Sequence, residues 1–416
     1  MTARTDFRTH LSVLDGATER MVETITGWSS INSGSGNLGG IATVADAVVP
    51  AFEAAGLTSS YREPDPVTHV DDGGNIIEIP RGGTYHFSNR PDANRRILLT
   101  GHLDTVFPRD HPFQKVKRKK DERGAFLHGP GTADMKGGIC VMLEAIKAFE
   151  QSPFAEAVGI DVLLNSDEET GSHASAAALT EKARGADIGL VFEPALPDGT
   201  LAGARAGSGH YTFTVRGRPA HAGREFHLGR NAIVGAARVI AAINDLNGQR
   251  EGTTLNLGVI NGGQATNVVP DICVVRMNIR GRSPEDLKWA DENIHRVIAA
   301  GGFGADIAVE LHGGIHRPVK ADEGGTRALF ELVRAAGADL GIGIDWKPTG
   351  GCCDGNNLAA AGLPNVDTLG VVGGAIHSPD EYAIIDSFVP RAKLASLVMM
   401  MLASGEAAWP DRLTPQ

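Results

Sequence analysis

Arg96-Ile97-Leu98-Leu99-Thr100, running into Gly101-His102-Leu103-Asp104-Thr105, is a short apolar run that ends in an imidazole and a carboxylate. An apolar run of this length reads as a buried strand of a mostly parallel sheet. The pattern recurs twice. Asp161-Val162-Leu163-Leu164-Asn165 leads into Glu168-Glu169, and Asp187-Ile188-Gly189-Leu190-Val191-Phe192 leads into Glu193-Pro194. Ligand sites of open α/β sheets lie beyond the carboxyl ends of the strands, so three strand ends that all carry donors point to one site. Two glycine-rich segments add Asp134, in Gly131-Thr132-Ala133-Asp134-Met135-Lys136-Gly137-Gly138, and His377, in Ile376-His377-Ser378. Imidazole and carboxylate are what zinc or a similar first-row dication accepts.

Each segment has a plainer reading. His102 and Asp104 sit two apart on a strand, so their side chains point the same way. His102 could then face a metal while Asp104 orients its ring from behind, or the two are a surface histidine and a turn aspartate. Asp134 could bridge two cations about 3.5–4 Å apart, or cap the following helix. Glu168 and Glu169 are adjacent carboxylates that both ionise in a partly buried site only near a cation. One would be a ligand and the other a general base; otherwise they are two solvated turn residues.

Around these segments the chain alternates. Ile139, Met142, Leu143, Ile146 and Phe149 repeat at helical spacing after Gly137-Gly138. From about Gly207 the order becomes β-α-β-β-α-β: strands at 210–215, 254–260, 271–280 and 305–311, and helices at 231–246 and 284–300, the second with Ser283 as N-cap. That order is a ferredoxin-like sandwich. The first pattern then resumes, with a helix at 326–340, a strand near 345–347 and helices at 356–361 and 389–403. The expected division is a catalytic domain built from residues 1–206 and 322–416, with an inserted domain at 207–321.

The net charge of -11 argues against nucleic acid as a partner, because phosphate binding needs clustered Lys and Arg. The basic run from Lys115 to Lys120 reads as a solvated loop face. Cys140, Cys273, Cys352 and Cys353 form no disulfide framework and read as small buried groups in a reducing compartment. The amino end carries charges from Arg4 onward and no apolar run of signal-peptide length, and no stretch approaches the roughly 18 apolar residues of a membrane span. A cytoplasmic location, with no membrane partner, is the expectation.

Together the segments resemble the glutamate carboxypeptidase, acetylornithine deacetylase and aminoacylase family of co-catalytic zinc hydrolases, and its carboxypeptidase branch most. The likeness runs from Asn32-Ser33-Gly34-Ser35-Gly36-Asn37 to Tyr382. It implies an α/β fold, with a mostly parallel-sheet, discontinuous zinc-hydrolase domain and an inserted ferredoxin-like α+β lid that also makes a homodimer. The resemblance implies that His102, Asp134 and Glu193 hold one metal ion and Asp134, Glu169 and His377 the other. Two divalent ions are expected, zinc first, with cobalt or manganese able to use the same ligands. Glu168 would be the general base and Asp104 the residue that orients His102.

On the same grounds His221, in Gly217-Arg218-Pro219-Ala220-His221-Ala222-Gly223, would stabilise the oxyanion across the dimer. Asn267 and Arg280 match lid residues that touch substrate, Arg280 as a bidentate grip on a carboxylate; the plainer reading of Arg280 is a salt bridge within the lid. Gly350 and Gly351, in Gly350-Gly351-Cys352-Cys353-Asp354, match a substrate loop. Cys352, Cys353 and Asn278 depart from the pattern, where Gly or Ser/Thr and Asp are usual. The implied activity is hydrolysis of an amide or peptide bond in a small molecule that bears a free carboxylate. An N-acyl amino acid deacylase is the alternative, and a non-catalytic metal-binding relative is the reading from another class.

Overall fold

A computed structural model describes residues 7–416; the charges that begin at Arg4 fall partly outside them. The central sheet has six strands. Four run parallel: Gly159–Asn165, Arg96–His102, Ile188–Val191 and Asn365–Val366. Thr84–Ser88 joins antiparallel beside Gly159–Asn165, and Thr58–Arg62 pairs outside it. The three central parallel strands are almost wholly buried, which is why their sequences run apolar rather than alternating. Helices Thr18–Ser29, Lys136–Glu150, Gly324–Asp339 and Phe388–Ala403 close one large core with this sheet.

The inserted segment has a core of its own, from Tyr211 to Val319. Its sheet, in the order Thr253–Gly262, Ile272–Gly281, Gly207–Arg216, Ala308–Arg317, is antiparallel throughout. Helices Ala232–Asn244 and Pro284–Ala300 cover one face. Ser283 caps the second helix in a reciprocal box with Asp286, and Pro284 occupies its first turn. The chain is therefore an α/β protein with an inserted α+β domain.

The two chain crossings between these parts are tied together. Arg205 and Lys320 pair through their backbones, and their side chains converge on Asp367: Arg205 Nε and Nη2 donate to its two oxygens at 2.8 and 2.9 Å, and Lys320 Nζ at 2.7 Å. All three groups are buried, and such a triad tolerates loss of one member poorly.

Four expectations need correction. The basic run is no loop. Lys117–Asp121 is an exposed edge strand paired with Gly124–His128, where charge blocks further pairing. Trp346–Thr349 does not extend the central sheet but pairs with Leu201–Arg205; Asn365–Val366 is what returns to it. The last strand of the insertion starts three residues late and runs to Arg317. Cys352 is only half-buried, and it donates to the Ala206 carbonyl at 3.1 Å, so it is a polar contact rather than packing.

Candidate metal centre

His102, Glu168, Glu169 and Glu193 lie at or just beyond the carboxyl ends of the central parallel strands, while Asp134 and His377 come from loops outside that sheet. His102 is the last residue of its strand, and the chain beyond it is fixed by Leu103 N donating to Asn165 O at 2.8 Å. Glu168 and Glu169 open a short 3-10 turn after Gly159–Asn165, closed by Gly171 at φ +100°, a conformation only glycine takes freely. Glu193 follows Ile188–Val191. His377 sits in a loop where both Ala375 and His377 adopt left-handed φ, +53° and +62°. Such backbone costs energy at non-glycine residues, so the surrounding structure must hold it.

Asp134 lies between the two histidines. Its Oδ1 is 3.1 Å from His102 Nε2 and its Oδ2 is 3.3 Å from His377 Nε2. Glu193 Oε1 approaches His102 Nε2 at 3.8 Å, and Glu169 Oε2 approaches His377 Nε2 at 3.1 Å. Asp134 is not the helix cap. The helix begins at Lys136 with Met135 in the cap position, which frees the carboxylate for this central place. Two sets of donors, one imidazole and one carboxylate each, thus share one aspartate.

Asp104 stands behind His102, with Oδ1 3.3 Å from Nδ1, and its main-chain carbonyl is 3.0 Å from the same nitrogen. Its carboxylate also accepts from Ser35 Oγ at 2.7 Å and from the amides of Glu168 and Glu169 at 3.2 and 3.3 Å. One buried carboxylate thereby aligns the histidine and anchors the diglutamate turn. The two glutamates of that turn diverge: Glu169 faces His377, whereas Glu168 Oε1 receives a 2.7 Å bond from Arg317 Nη2. Arg317 ends the last strand of the insertion and also pairs with Asp354 at 2.7 Å.

The electrostatics ask for positive charge. Burial first, then neighbouring Asp134, pushes the Glu169 carboxyl up to about 8. Burial likewise holds Glu193 and Glu168 above the usual carboxyl range. His377 is raised to about 11 by its bonds to Asp134 and Glu169. Burial opposes charge on His102, but bonds to Asp104, Asp134 and Glu193 override it and keep the ring well above its ordinary value. The donor chemistry fits divalent ions of the zinc type.

A measurable consequence follows at pH 7. The His377, His102 and Glu169 pKa values are raised, so these groups keep protons that a cation must displace. Zinc binding should release at least about one proton, and its apparent affinity should rise with pH. Calorimetry in two buffers of different ionisation enthalpy reads the number; zero release would contradict the arrangement.

Sequence reasoning missed two residues here. Glu381 is fully buried and accepts from the amides of Gly131, Ala133 and Asp134 at 3.1, 2.9 and 3.1 Å. Burial, then Asp134, raises its carboxyl to about 7 against the pull of those amides. It fixes the loop that carries Asp134. Glu381→Ala should cost about 3 kcal/mol of stability by stranding buried amides, read as a lower urea midpoint; an unchanged midpoint would refute the role. Arg317 is the other. Its position before Pro318, at the end of the inserted sheet, was the one signal available.

Other expected site residues lie elsewhere. Arg280 meets Asn278 and Cys352: Nε donates to Asn278 Oδ1 at 2.9 Å and Nη1 to Cys352 Sγ at 3.0 Å. Its partner is thus on the returning segment rather than within the lid alone. Gly351 accepts from Arg205 through its carbonyl, and Gly350 is exposed beside it. His221 and Asn267 sit together on the outer part of the insertion, where strands Ala220–His221 and Val268–Val269 pair and Ala222 N donates to Asn267 O. Among the described residues, no hydrogen bond or ion pair joins either to the metal-type donors.

Comparison with known proteins gives the family and the fold. The profile of peptidase family M20/M25/M40 matches residues 98–401. Carboxypeptidase G2 of a Pseudomonas species is 27% identical over 393 residues, covering 93% of this chain and 90% of the relative. A succinyl-diaminopimelate desuccinylase of Bordetella petrii is 30% identical over 336 residues, 75% of this chain and 84% of the relative. Among solved structures, a tripeptidase from Staphylococcus aureus superposes with a TM-score of 0.72 at 23% identity, over 93% of this chain and 99% of its own. At that identity the likeness speaks for the fold.

Proposed function

Because the chain belongs to peptidase family M20/M25/M40, and is thereby a metal-dependent hydrolase of amide or peptide bonds, we propose that it works with two divalent cations, zinc first, on a small substrate that carries a free carboxylate. The observation that carries the reading is the placement of Asp134 between His102 and His377. His102, Asp134 and Glu193 would hold one ion, and Asp134, Glu169 and His377 the other. Bound ions would supply Lewis acidity and lower the pKa of water at the site. Three carboxylates against two dications leave a net positive field, which suits that task.

Glu168 is the proton carrier in this reading. It lies next to a ligand without facing His377, and its carboxyl, raised by burial, can accept a proton and return it to the leaving amine. Asp104 keeps His102 in one ring orientation. Arg280, on the strand that faces the returning segment, would grip the substrate's carboxylate in a planar fork, with the Gly350-Gly351 turn beside it. The cleft between the two parts would close over the substrate and exclude water.

His221 and Asn267 would act in the site of a second copy, through the insertion. Supporting this, Phe226, Val259, Ile260 and Val268 expose large apolar side chains on the same part of the chain, Phe226 at 64% and Ile260 at 52%. Exposed apolar clusters mark interaction surfaces. Sedimentation should give the mass of two chains; a single-chain mass at micromolar concentration would remove that role.

A hydrolysis series on the metal-loaded protein tests the substrate class. Folyl- or peptidyl-glutamates and N-acyl amino acids should turn over, and the same molecules with the carboxylate converted to carboxamide should not. Arg280→Lys should raise KM by about 10–100-fold, the loss of roughly one charge-assisted pair. Equal rates on acid and amide would contradict the carboxylate requirement. Preference for N-acyl amino acids over glutamyl peptides would favour the deacylase alternative, and the relatives include both kinds.

A further inference from the structure

A cleft of about 550 Å³ separates the catalytic part from the uncovered face of the inserted sheet. Its walls carry five histidines, His69, His173, His210, His312 and His316. Three of these converge. One ring nitrogen from each of His173, His210 and His316 lies within 4.8 Å of the other two. The His210 and His316 rings stack at 4.3 Å between centroids, and His173 approaches His316 at 4.8 Å. No carboxylate belongs to this group, unlike the centre described above.

Local backbone builds the cluster. Along the pair of strands Gly207–Arg216 and Ala308–Arg317, Ser208 lies opposite Arg317 and Gly209 opposite Ile315. His316 is the extra residue of that β-bulge, a device that re-aims a side chain. His210 is opposite Gly314, whose missing side chain leaves its face open. Across the cleft, a Cβ at Gly171 would stand 3.1 Å from His173 Nε2 and 3.2 Å from His316 Cδ2, so a side chain there would crowd both rings. His316 Nδ1 is buried without a hydrogen-bond partner. A buried ring nitrogen left unpaired is costly unless something binds it.

We propose that His173, His210 and His316 form a separate tris-imidazole site for one borderline transition-metal dication such as zinc, nickel or copper. Neutral imidazole is the donor that these ions take. His173 and His210 keep exposed edges at the cleft, but partial burial first, then neighbouring cationic groups, lowers His173 to about 4 and His316 to about 2, and partial burial also lowers His210. The lone pairs are thus available at neutral pH, and protonated rings suited to anions are disfavoured. A tetrahedral ion with nitrogens at about 2.0–2.1 Å draws them to roughly 3.4 Å apart, so ring rotations of about an ångström complete the site.

Its placement gives the site a consequence. His210 and His316 belong to the inserted sheet, while His173 follows the turn that carries Glu168 and Glu169. An ion held by all three would clamp the inserted domain to that turn. Metal in excess of the catalytic requirement would then restrict the cleft closure proposed above, on which this consequence rests.

Titration of the full-length protein, already loaded with two equivalents of zinc, with nickel(II) tests the proposal. One further equivalent should bind, and it should be lost in His210→Gln and in His316→Gln while His69→Gln and Cys352→Ser keep it. Retention of the first two equivalents certifies that each variant is folded. Absence of a further equivalent, or its survival in both the His210 and His316 variants, would overturn the proposal.

Discussion

Glu168→Ala is expected to keep its full metal content and to lose turnover by about 10²–10⁴-fold, the range for removal of a positioned general base. The separation of the two effects comes from the geometry. Glu169 faces His377 at 3.1 Å, whereas Glu168 turns its Oε1 to Arg317 at 2.7 Å. The Glu168 carboxylate lies within 4.8 Å of the His102 and Glu193 donors, but its loss leaves the contacts of Asp134 with His102 and His377 in place. It also leaves no stranded cation, because Arg317 Nη1 keeps its bonds to Asp354 and Asn357. The turn itself is held by Asp104 through backbone amides, which the substitution does not touch. Metal analysis beside kcat reads both quantities. Retained turnover would remove Glu168 as the base; lost metal would move it into the ligand set.

Asp134→Ala should have the opposite signature, with metal content falling from two ions to one or none. Turnover should fall by at least about 10³-fold, equivalent to about 4 kcal/mol of transition-state stabilisation. Each oxygen of Asp134 faces a different histidine, so its removal leaves His102 with Glu193 on one side and Glu169 with His377 on the other. Two donors seldom hold zinc against water. The loop should survive, because Glu381 grips backbone amides at Gly131, Ala133 and Asp134 rather than the aspartate side chain. Asp134→Asn keeps one donor oxygen and should retain one ion. Two ions bound by either variant would show that the aspartate is not shared.

Much of the fold was legible because its strands obey one rule. The runs through Leu98-Leu99, Leu163-Leu164 and Leu190-Val191 are apolar on both faces and stop at a polar donor, which places them side by side and in the same direction. The helix at 284–300 announced itself through Ser283 and Pro284. Lys117–Asp121 did not, because its charges hide a strand whose faces meet solvent and whose pairing is set by Gly124–His128. The strand at Trp346 gave no sign that its partner would be Leu201 rather than the central sheet.

Most donors of the centre were legible for a similar reason, since His102, Glu168, Glu169 and Glu193 follow strand ends, and Asp134 and His377 sit in glycine-rich segments. Glu381 and Arg317 were not. Their roles come from contacts across 247 and 149 positions of chain, and a buried carboxylate that binds amides looks, in sequence, like any acidic turn residue. The histidine cluster was hidden for the same cause: His173, His210 and His316 have no common spacing, and only the bulge and the facing walls of the cleft bring them together.

The central claim is that one aspartate carboxylate is shared by two cations. Crystals of the zinc-loaded protein, measured at the zinc absorption edge, test it most directly. Two anomalous peaks about 3.5–4 Å apart are predicted, one beside His102 and Glu193, the other beside His377 and Glu169, with the Asp134 carboxylate between them. A single peak, or peaks that leave His102 or His377 unengaged, would contradict the account.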